Sequence, residues 1–95
     1  MISKDGKSLK IVDFGLATET TLDQYIFVRC GTPGYVAPEI LRIKDEEKPS
    51  LEPISDMFSL GSIFYQMIFE RRLFDAIEHE DVLNQNRACV IRFNQ

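Results

Sequence analysis

Residues 30–40, CGTPGYVAPEI, hold two glycines and two prolines: Gly31, Pro33, Gly34 and Pro38. Proline fixes φ and lacks an amide donor, whereas glycine readily adopts positive φ, so this density disfavours the interior of a helix or strand. The sequence therefore predicts an irregular segment held on one backbone path. The function of this segment has to be inferred from the rest of the chain.

The composition is that of an ordinary globular protein. The chain has 95 residues, 44% hydrophobic and 27% charged, with a net charge of −4. This length allows one small domain at most. Since no basic stripe is present to contact phosphate backbones, we expect no nucleic-acid partner.

Targeting and redox signals are weak. Cys30 and Cys89 have no CxxC spacing, which predicts two free thiols in a reducing compartment. The N-terminus lacks the apolar core of a secretory signal. The most apolar run, Met57–Phe69, is too short to span a bilayer and contains Gln66. We expect a cytoplasmic or nuclear protein without a membrane partner.

The N-terminal region predicts a short β-hairpin. Asp5-Gly6 favours a type I′ turn, and the β-branched stretch Leu9–Val12 favours a strand after it. The arm before the turn is only Met1-Ile2. We interpret this short arm as a sign that the chain begins inside a larger structure.

Helices are predicted in the remainder. A short helix is expected at 38–43 because proline suits a first helical turn, and another near 82–88. Residues 54–69 predict a longer helix with apolar residues on every face. Such a helix must be surrounded by protein, and 95 residues offer little to surround it.

Three motifs together carry a resemblance. Asp13-Phe14-Gly15 follows the predicted strand, GTPGYVAPE occupies 31–39, and SDMFSLG occupies 55–61. In this order and spacing they resemble the eukaryotic protein kinases. The similarity runs from Leu9 to about Phe74, and more weakly to Phe93. GTPGY is similar to the serine/threonine branch, and the tail LNQNRACVIRF resembles calmodulin-dependent and related kinases.

The resemblance implies an α+β parent fold, of which this chain would be part of the mainly α-helical C-terminal lobe with a short β-hairpin. It divides the chain into a hairpin with the metal-binding motif (1–15), an activation segment (16–39), a connection (40–53), a central buried helix (54–69) and a tail (70–95). Implied cofactors are ATP and Mg²⁺, and implied partners are protein substrates and regulators.

The resemblance also assigns roles to the first motif. Asp13 would hold Mg²⁺ on the ATP phosphates, which places Asp13, Phe14 and Gly15 at the cofactor. Phe14 would pack into the apolar core and set the position of Asp13.

The second and third motifs would serve the substrate and the lobe. Thr32 would hydrogen-bond the catalytic carboxylate and lysine. Glu39 would pair with an arginine, and Asp56 would accept hydrogen bonds from the catalytic-loop backbone. The pocket for the substrate residue after the phosphoacceptor would be shaped by Gly31, Thr32, Pro33, Gly34 and Tyr35.

Other family motifs do not occur in the 95 residues: the G-x-G-x-x-G loop, the V-A-I-K lysine and the H-R-D-L-x-x-x-N loop. We expect the general base and that lysine upstream of Met1, and the arginine partner of Glu39 beyond Gln95. The chain alone is therefore expected to be inactive and prone to aggregation. The single histidine, His79, is expected to be a surface residue.

Two positions depart from the family pattern. The usual activating phosphosite, two residues before Cys30, is Val28, which has no hydroxyl. The second is Glu70-Arg71-Arg72, where many relatives have a glycine that ends the helix; we expect this departure to alter only a surface turn. We therefore expect no phosphorylation switch at Val28, with secondary candidates at Thr18, Thr20, Thr21 and Tyr25.

Two functions remain open. One is a piece of an active serine/threonine kinase that transfers the γ-phosphate of ATP to serine or threonine of proteins. The other is a non-catalytic interaction or regulatory module that docks to a kinase or its regulators through the apolar helix and the peptide-binding segment.

Overall fold

The computed structural model describes residues 1–19, 30–43 and 52–91. This part of the chain is mainly helical, with α1 at Pro38–Leu41, α2 at Ile54–Phe69 and α3 at His79–Ala88. The candidate phosphosites Thr20, Thr21 and Tyr25, and also Val28, lie outside the described residues.

The N-terminal hairpin forms only as an isolated antiparallel bridge between Ile2 and Leu9. The described ranges contain no strand, so the predicted strand at Leu9–Val12 is not supported. A two-stranded hairpin is marginal unless further elements cover one face. Here Leu9 and Ile11 are 77% and 84% exposed, so no element of the described ranges supplies that cover.

The turn of this hairpin also differs from the predicted type. Gly6 has a φ of +72°, but Asp5 does not have the positive φ that a type I′ turn requires. Instead, the Gly6 amide donates to the Ser3 carbonyl at 3.0 Å. The Asp5 carboxylate accepts hydrogen bonds from the Ser3 hydroxyl and the Lys7 amide. These two bonds lower the pKa of Asp5.

Helix α1 begins at Pro38, as predicted, and ends at Leu41 rather than Ile43. Proline fits the first helical position because its missing amide would have no intrahelical partner there. After Leu41 the backbone continues in a tighter turn, in which the Ile43 amide donates to the Ile40 carbonyl at 3.3 Å.

Helix α2 occupies Ile54–Phe69, the range over which a helix is predicted. It ends at Glu70, whose φ of 56° is left-handed and whose amide donates to the Gln66 carbonyl at 2.9 Å. Helix α3 extends from His79 to Ala88 and ends in the same way at Cys89, with φ 55°. The observed helix α3 therefore starts earlier than the predicted helix, which begins at Val82.

The core is small and lies where the segment before α1 meets α2 and α3. Its most buried large side chain is Phe74, 1% exposed, whose ring stacks on Phe58 with 6.4 Å between centroids. Among the residues that the structure describes, the buried ones are Gly34, Val36, Ala37, Pro38, Ser62, Tyr65, Phe74, Val82 and Asn86.

Most of α2 lies outside this core. The helix buries Ser62 and Tyr65, whereas large apolar side chains along its length are exposed. The helix predicted as a central buried one is therefore largely uncovered in this chain. This agrees with the expectation that 95 residues cannot surround it. No helix of the described ranges is long and apolar enough to cross a membrane.

Candidate functional site

Residues 30–40 follow the irregular backbone path that the sequence predicts. Gly31 and Gly34 have φ values of +123° and +96°, which favour glycine. The Tyr35 amide donates to the Thr32 carbonyl at 3.1 Å and closes a turn over 32–35, which contains Gly34 and precedes α1. A Cβ on Gly31 would lie 2.8 Å from Cγ2 of Val36, so this approach also requires a glycine.

Helix α3 holds this turn through Asn86, which is fully buried. Its Oδ1 accepts a hydrogen bond from the Gly34 amide at 2.9 Å, and its Nδ2 donates to the Val36 carbonyl at 2.6 Å. One side chain thereby bonds a backbone group of each residue that flanks Tyr35.

The sequence reasoning did not single out Asn86. One signal was present: Asn86 follows Val82 by four residues and therefore shares its face of α3. A polar residue on the apolar face of a helix indicates a specific buried hydrogen bond. Its partners, however, lie some fifty residues away, and no local pattern identifies them.

Helix α2 holds the same turn from another side. The Ser59 hydroxyl donates to the Tyr35 carbonyl at 2.6 Å, and the Tyr35 hydroxyl donates to Oε1 of Gln66 at 2.6 Å. The peptide groups from Gly34 to Val36 therefore bond to side chains of two helices.

An open pocket of about 680 Å³ lies beside the turn. It brings together five residues that the sequence reasoning identified: Thr18, Gly31, Thr32, Tyr35 and Asp56. Thr32 and Asp56 are exposed here, so their side chains can accept further partners. The pocket is lined by Leu16, Ala17, Thr18, Cys30, Gly31, Thr32, Tyr35, Val36, Ala37, Ile40, Glu52, Pro53, Ser55, Asp56, Ser59, Ile63 and Gln66.

The Asp13-Phe14-Gly15 motif lies outside this lining. Asp13 has a φ of 65°, and its Oδ1 accepts a hydrogen bond from the Gly15 amide at 3.3 Å. Phe14 is 69% exposed, so the expectation that it packs into an apolar core is wrong for this chain. The described part of the N-terminal region supplies no core around this ring.

The described residues contain no cluster of three or more acidic, histidine or cysteine side chains able to hold a metal ion. Asp13 offers a single exposed carboxylate. A lone carboxylate fits Mg²⁺, which commonly keeps several waters and binds one or two carboxylates together with substrate phosphates. It does not make a self-contained metal site.

The remaining predicted residues lie at the surface. Glu39 is exposed, and its Oε1 accepts a hydrogen bond from the Ser55 hydroxyl at 2.9 Å, which joins α1 to the first turn of α2. His79 is exposed, as expected. Cys30 and Cys89 are free thiols, as the sequence predicts, and both are half-buried.

Comparison with known proteins gives a consistent result. The family described as Protein kinase domain matches residues 1–95. The chain is 39% identical over 90 residues to Probable serine/threonine-protein kinase 2 of Plasmodium falciparum, covering 95% of this chain and 16% of that protein. It is 36% identical over 89 residues to Serine/threonine-protein kinase ATG1 of Chaetomium globosum, covering 92% and 9%.

A third relative is Serine/threonine-protein kinase PLK4 of Xenopus laevis, 38% identical over 86 residues that cover 90% of this chain and 8% of that protein. The chain thus spans less than a fifth of the length of these relatives. No solved structure matches it. With the family matched over the full chain and each of these relatives a serine/threonine kinase, the chain belongs to the protein kinase family.

Proposed function

We propose that this chain works within a longer polypeptide as the activation segment and part of the C-terminal lobe of a serine/threonine kinase. The reaction is transfer of the γ-phosphate of ATP to a serine or threonine hydroxyl of a protein. The observation that carries this proposal is the turn at 31–35. Side chains of α2 and α3 hold it beside a pocket that Thr32, Tyr35 and Asp56 line.

Asp13 is the proposed ligand of Mg²⁺, which would bridge ATP phosphate oxygens and offset the charge that develops during transfer. Its support is the exposed carboxylate at the start of the Asp13-Phe14-Gly15 motif. Asp13 has a positive φ, and one of its carboxylate oxygens accepts a hydrogen bond from the Gly15 amide. Phe14 and Gly15 would complete the cofactor side of the site.

The turn at 31–35 is the proposed binding site of the substrate peptide. Gly31 and Gly34 allow the path, Pro33 stiffens it, and Thr32 and Tyr35 present side chains toward the pocket. The exposed hydroxyl of Thr32 is free to orient catalytic groups supplied by the rest of the polypeptide. Ordered placement of the acceptor is the main contribution that such a segment makes to phosphoryl transfer.

Glu39 and Asp56 are proposed to tie this segment to the rest of the kinase. A buried carboxylate without a cationic partner costs about 3–5 kcal/mol, and Glu39 avoids that cost here because it is exposed. In the longer polypeptide it would pair with an arginine. Asp56, exposed in the first turn of α2, would accept backbone hydrogen bonds from the catalytic loop.

The regulation we propose follows from the residue at position 28. Valine cannot be phosphorylated, so this kinase would not use an activating phosphate there. Thr18, which is exposed and lines the pocket, is a candidate secondary site alongside Thr20, Thr21 and Tyr25. We assign the kinase to the calmodulin-dependent-like branch, located in the cytoplasm or nucleus.

The test is peptide phosphorylation by the native-length polypeptide with Asp13→Asn. Asparagine tolerates positive φ and keeps an acceptor for the Gly15 amide, so folding should be retained. We expect the rate of transfer to fall by about 100-fold or more, as for loss of an electrostatic stabiliser. Asp75→Asn, on the exposed surface, is the control and should leave the rate unchanged. Equal rates for Asp13→Asn and wild type would refute the role of Asp13.

A second candidate is the non-catalytic docking module. It is favoured by the exposed apolar side chains of α2, among them Met57, Phe64 and Met67. The length of the product made in cells separates the two functions. A stable 11 kDa product would support the module, whereas a kinase-length product that contains these residues would support the enzyme.

A further inference from the structure

We propose that Asn86 is a positioning residue for the turn at 31–35, and that helix α3 thereby sets how tightly the kinase binds its protein substrate. This inference rests on the proposed function of the turn at 31–35. It adds a residue that the kinase motifs of the sequence do not include. Asn86 lies in the tail, far along the chain from the turn that it contacts.

The first observation is that both polar atoms of the Asn86 side chain are hydrogen-bonded. This side chain is fully buried. Its Nδ2 donates to the Val36 carbonyl and its Oδ1 accepts from the Gly34 amide, so it bonds the residues on both sides of Tyr35. Asparagine can do both because it carries a donor and an acceptor on one planar group. An apolar residue of similar size would leave the Gly34 amide and the Val36 carbonyl without these partners.

The second observation is that α3 touches the segment at more than this point. A Cβ added to Gly34 would meet Cγ1 of Val82 at 3.4 Å, so the turn lies directly on this helix. Beyond α1, the Arg42 Nε donates to the Arg87 carbonyl at 2.9 Å. Helix α3 therefore binds the segment both before and after α1, and a shift of α3 would carry the turn with it.

The third observation is the position of Tyr35. Its neighbours Gly34 and Val36 are buried and bonded to Asn86, whereas Tyr35 is half-buried and lines the pocket. Asn86 therefore holds the residue on each side of Tyr35, while the amide and carbonyl of Tyr35 itself bond Thr32 and Ser59. Loss of either bond would loosen the backbone on one side of this pocket-lining residue, without removing any group that touches the reacting atoms.

The experiment compares Asn86→Asp and Asn86→Ala in the native-length polypeptide, with Asn84→Ala as the matched control. Asn84 is an exposed asparagine of the same helix, and its side chain bonds only Arg87 among the described residues. Asn86→Asp is nearly isosteric and keeps an acceptor for Gly34, but it replaces the donor to Val36 with a buried carboxylate oxygen that faces the Val36 carbonyl. Asn86→Ala removes both.

Two readouts are measured. Hydrogen exchange of the Gly34 amide should quicken about tenfold in Asn86→Ala, the fold-change of one lost hydrogen bond. It should quicken at least as much in Asn86→Asp, because a buried carboxylate without a cationic partner destabilises the site. The KM for a peptide substrate should rise between about 5-fold and 100-fold in both variants, as expected for a misplaced binding group. The KM for ATP should stay within about twofold, because no ATP-binding group is altered.

Several outcomes would overturn the proposal. These are unchanged exchange of Gly34 in folded Asn86→Ala, an equal rise of both KM values, or failure of both Asn86 variants to fold while Asn84→Ala folds. If the wild-type polypeptide transfers no phosphate, the proposed function of the chain fails. If it does and only the Asn86 results disagree, this inference alone fails.

Discussion

Gly31 shows why single residues matter in a turn of this kind. Its φ of +123° lies outside the range that other residues adopt, and an added Cβ would approach Val36 to 2.8 Å. Glycine therefore meets two separate demands at this position. The first is the conformation of its own backbone, and the second is the space occupied by a buried neighbour.

We predict that Gly31→Ala destabilises the native-length polypeptide by about 1–3 kcal/mol, because the side chain adds backbone strain and a steric clash. Gly6→Ala is the control. Gly6 also has positive φ, but its added Cβ would meet nothing within 4 Å in an exposed turn. Urea denaturation of both variants measures the difference. A loss for Gly31→Ala no larger than that for Gly6→Ala would contradict the clash.

The sequence was informative at this scale where a residue type has one physical use. The glycines and prolines of 30–40 correctly predicted an irregular turn, since few other structures tolerate them at that density. Asn86 was missed for the opposite reason. Asparagine has many uses, and its partners across the fold become visible only when the chain is folded.

At the scale of elements, helix α2 was predictable because its apolar run is long and ends abruptly. The bounds 54–69 follow from that run. The hairpin was not predictable in the same way, because the pairing of two short arms depends on which elements cover them rather than on the residues of the arms. The prediction of strand at Leu9–Val12 considered β-branching alone.

The end of α2 offers an element-level test. Glu70 takes a left-handed conformation with φ 56° at the C-cap, where glycine is usual. We predict that Glu70→Gly stabilises the polypeptide by about 1 kcal/mol, the approximate cost of a side chain in this conformation. Thermal unfolding should show a higher Tm.

Glu80→Gly serves as the control for that substitution. Glu80 lies in the first turn of α3, where glycine should lower stability by about 1 kcal/mol because it disfavours a helix and removes a favourable acidic residue. A fall in Tm for Glu70→Gly, comparable with that for Glu80→Gly, would show that the left-handed cap at Glu70 is not formed.

At the scale of the whole molecule, the chain exposes more apolar surface than a stable small domain tolerates. Along α2 alone, eight large apolar side chains are at least 43% exposed: Ile54, Met57, Leu60, Ile63, Phe64, Met67, Ile68 and Phe69. Patches of this kind mark surfaces that other protein covers. The sequence predicted this exposure because the run is apolar on every face.

We predict that the 95-residue chain alone lacks a cooperative thermal transition and has a weak near-UV circular dichroism signal. Its exposed apolar helix should also bind the dye ANS, as loosely packed states do. A sharp unfolding transition with a strong near-UV signal from its tyrosines and phenylalanines would contradict this prediction.

The most direct measurement is phosphate transfer from radiolabelled ATP to a panel of serine- and threonine-containing peptides in the presence of Mg²⁺. It compares the 95-residue chain with the native-length polypeptide that contains it at equal concentration. We predict transfer by the longer polypeptide and none above background by the 95 residues, which lack the H-R-D-L-x-x-x-N and V-A-I-K motifs. Transfer by the 95-residue chain itself, or none by the longer polypeptide, would contradict the assignment of this chain as one part of a kinase catalytic site.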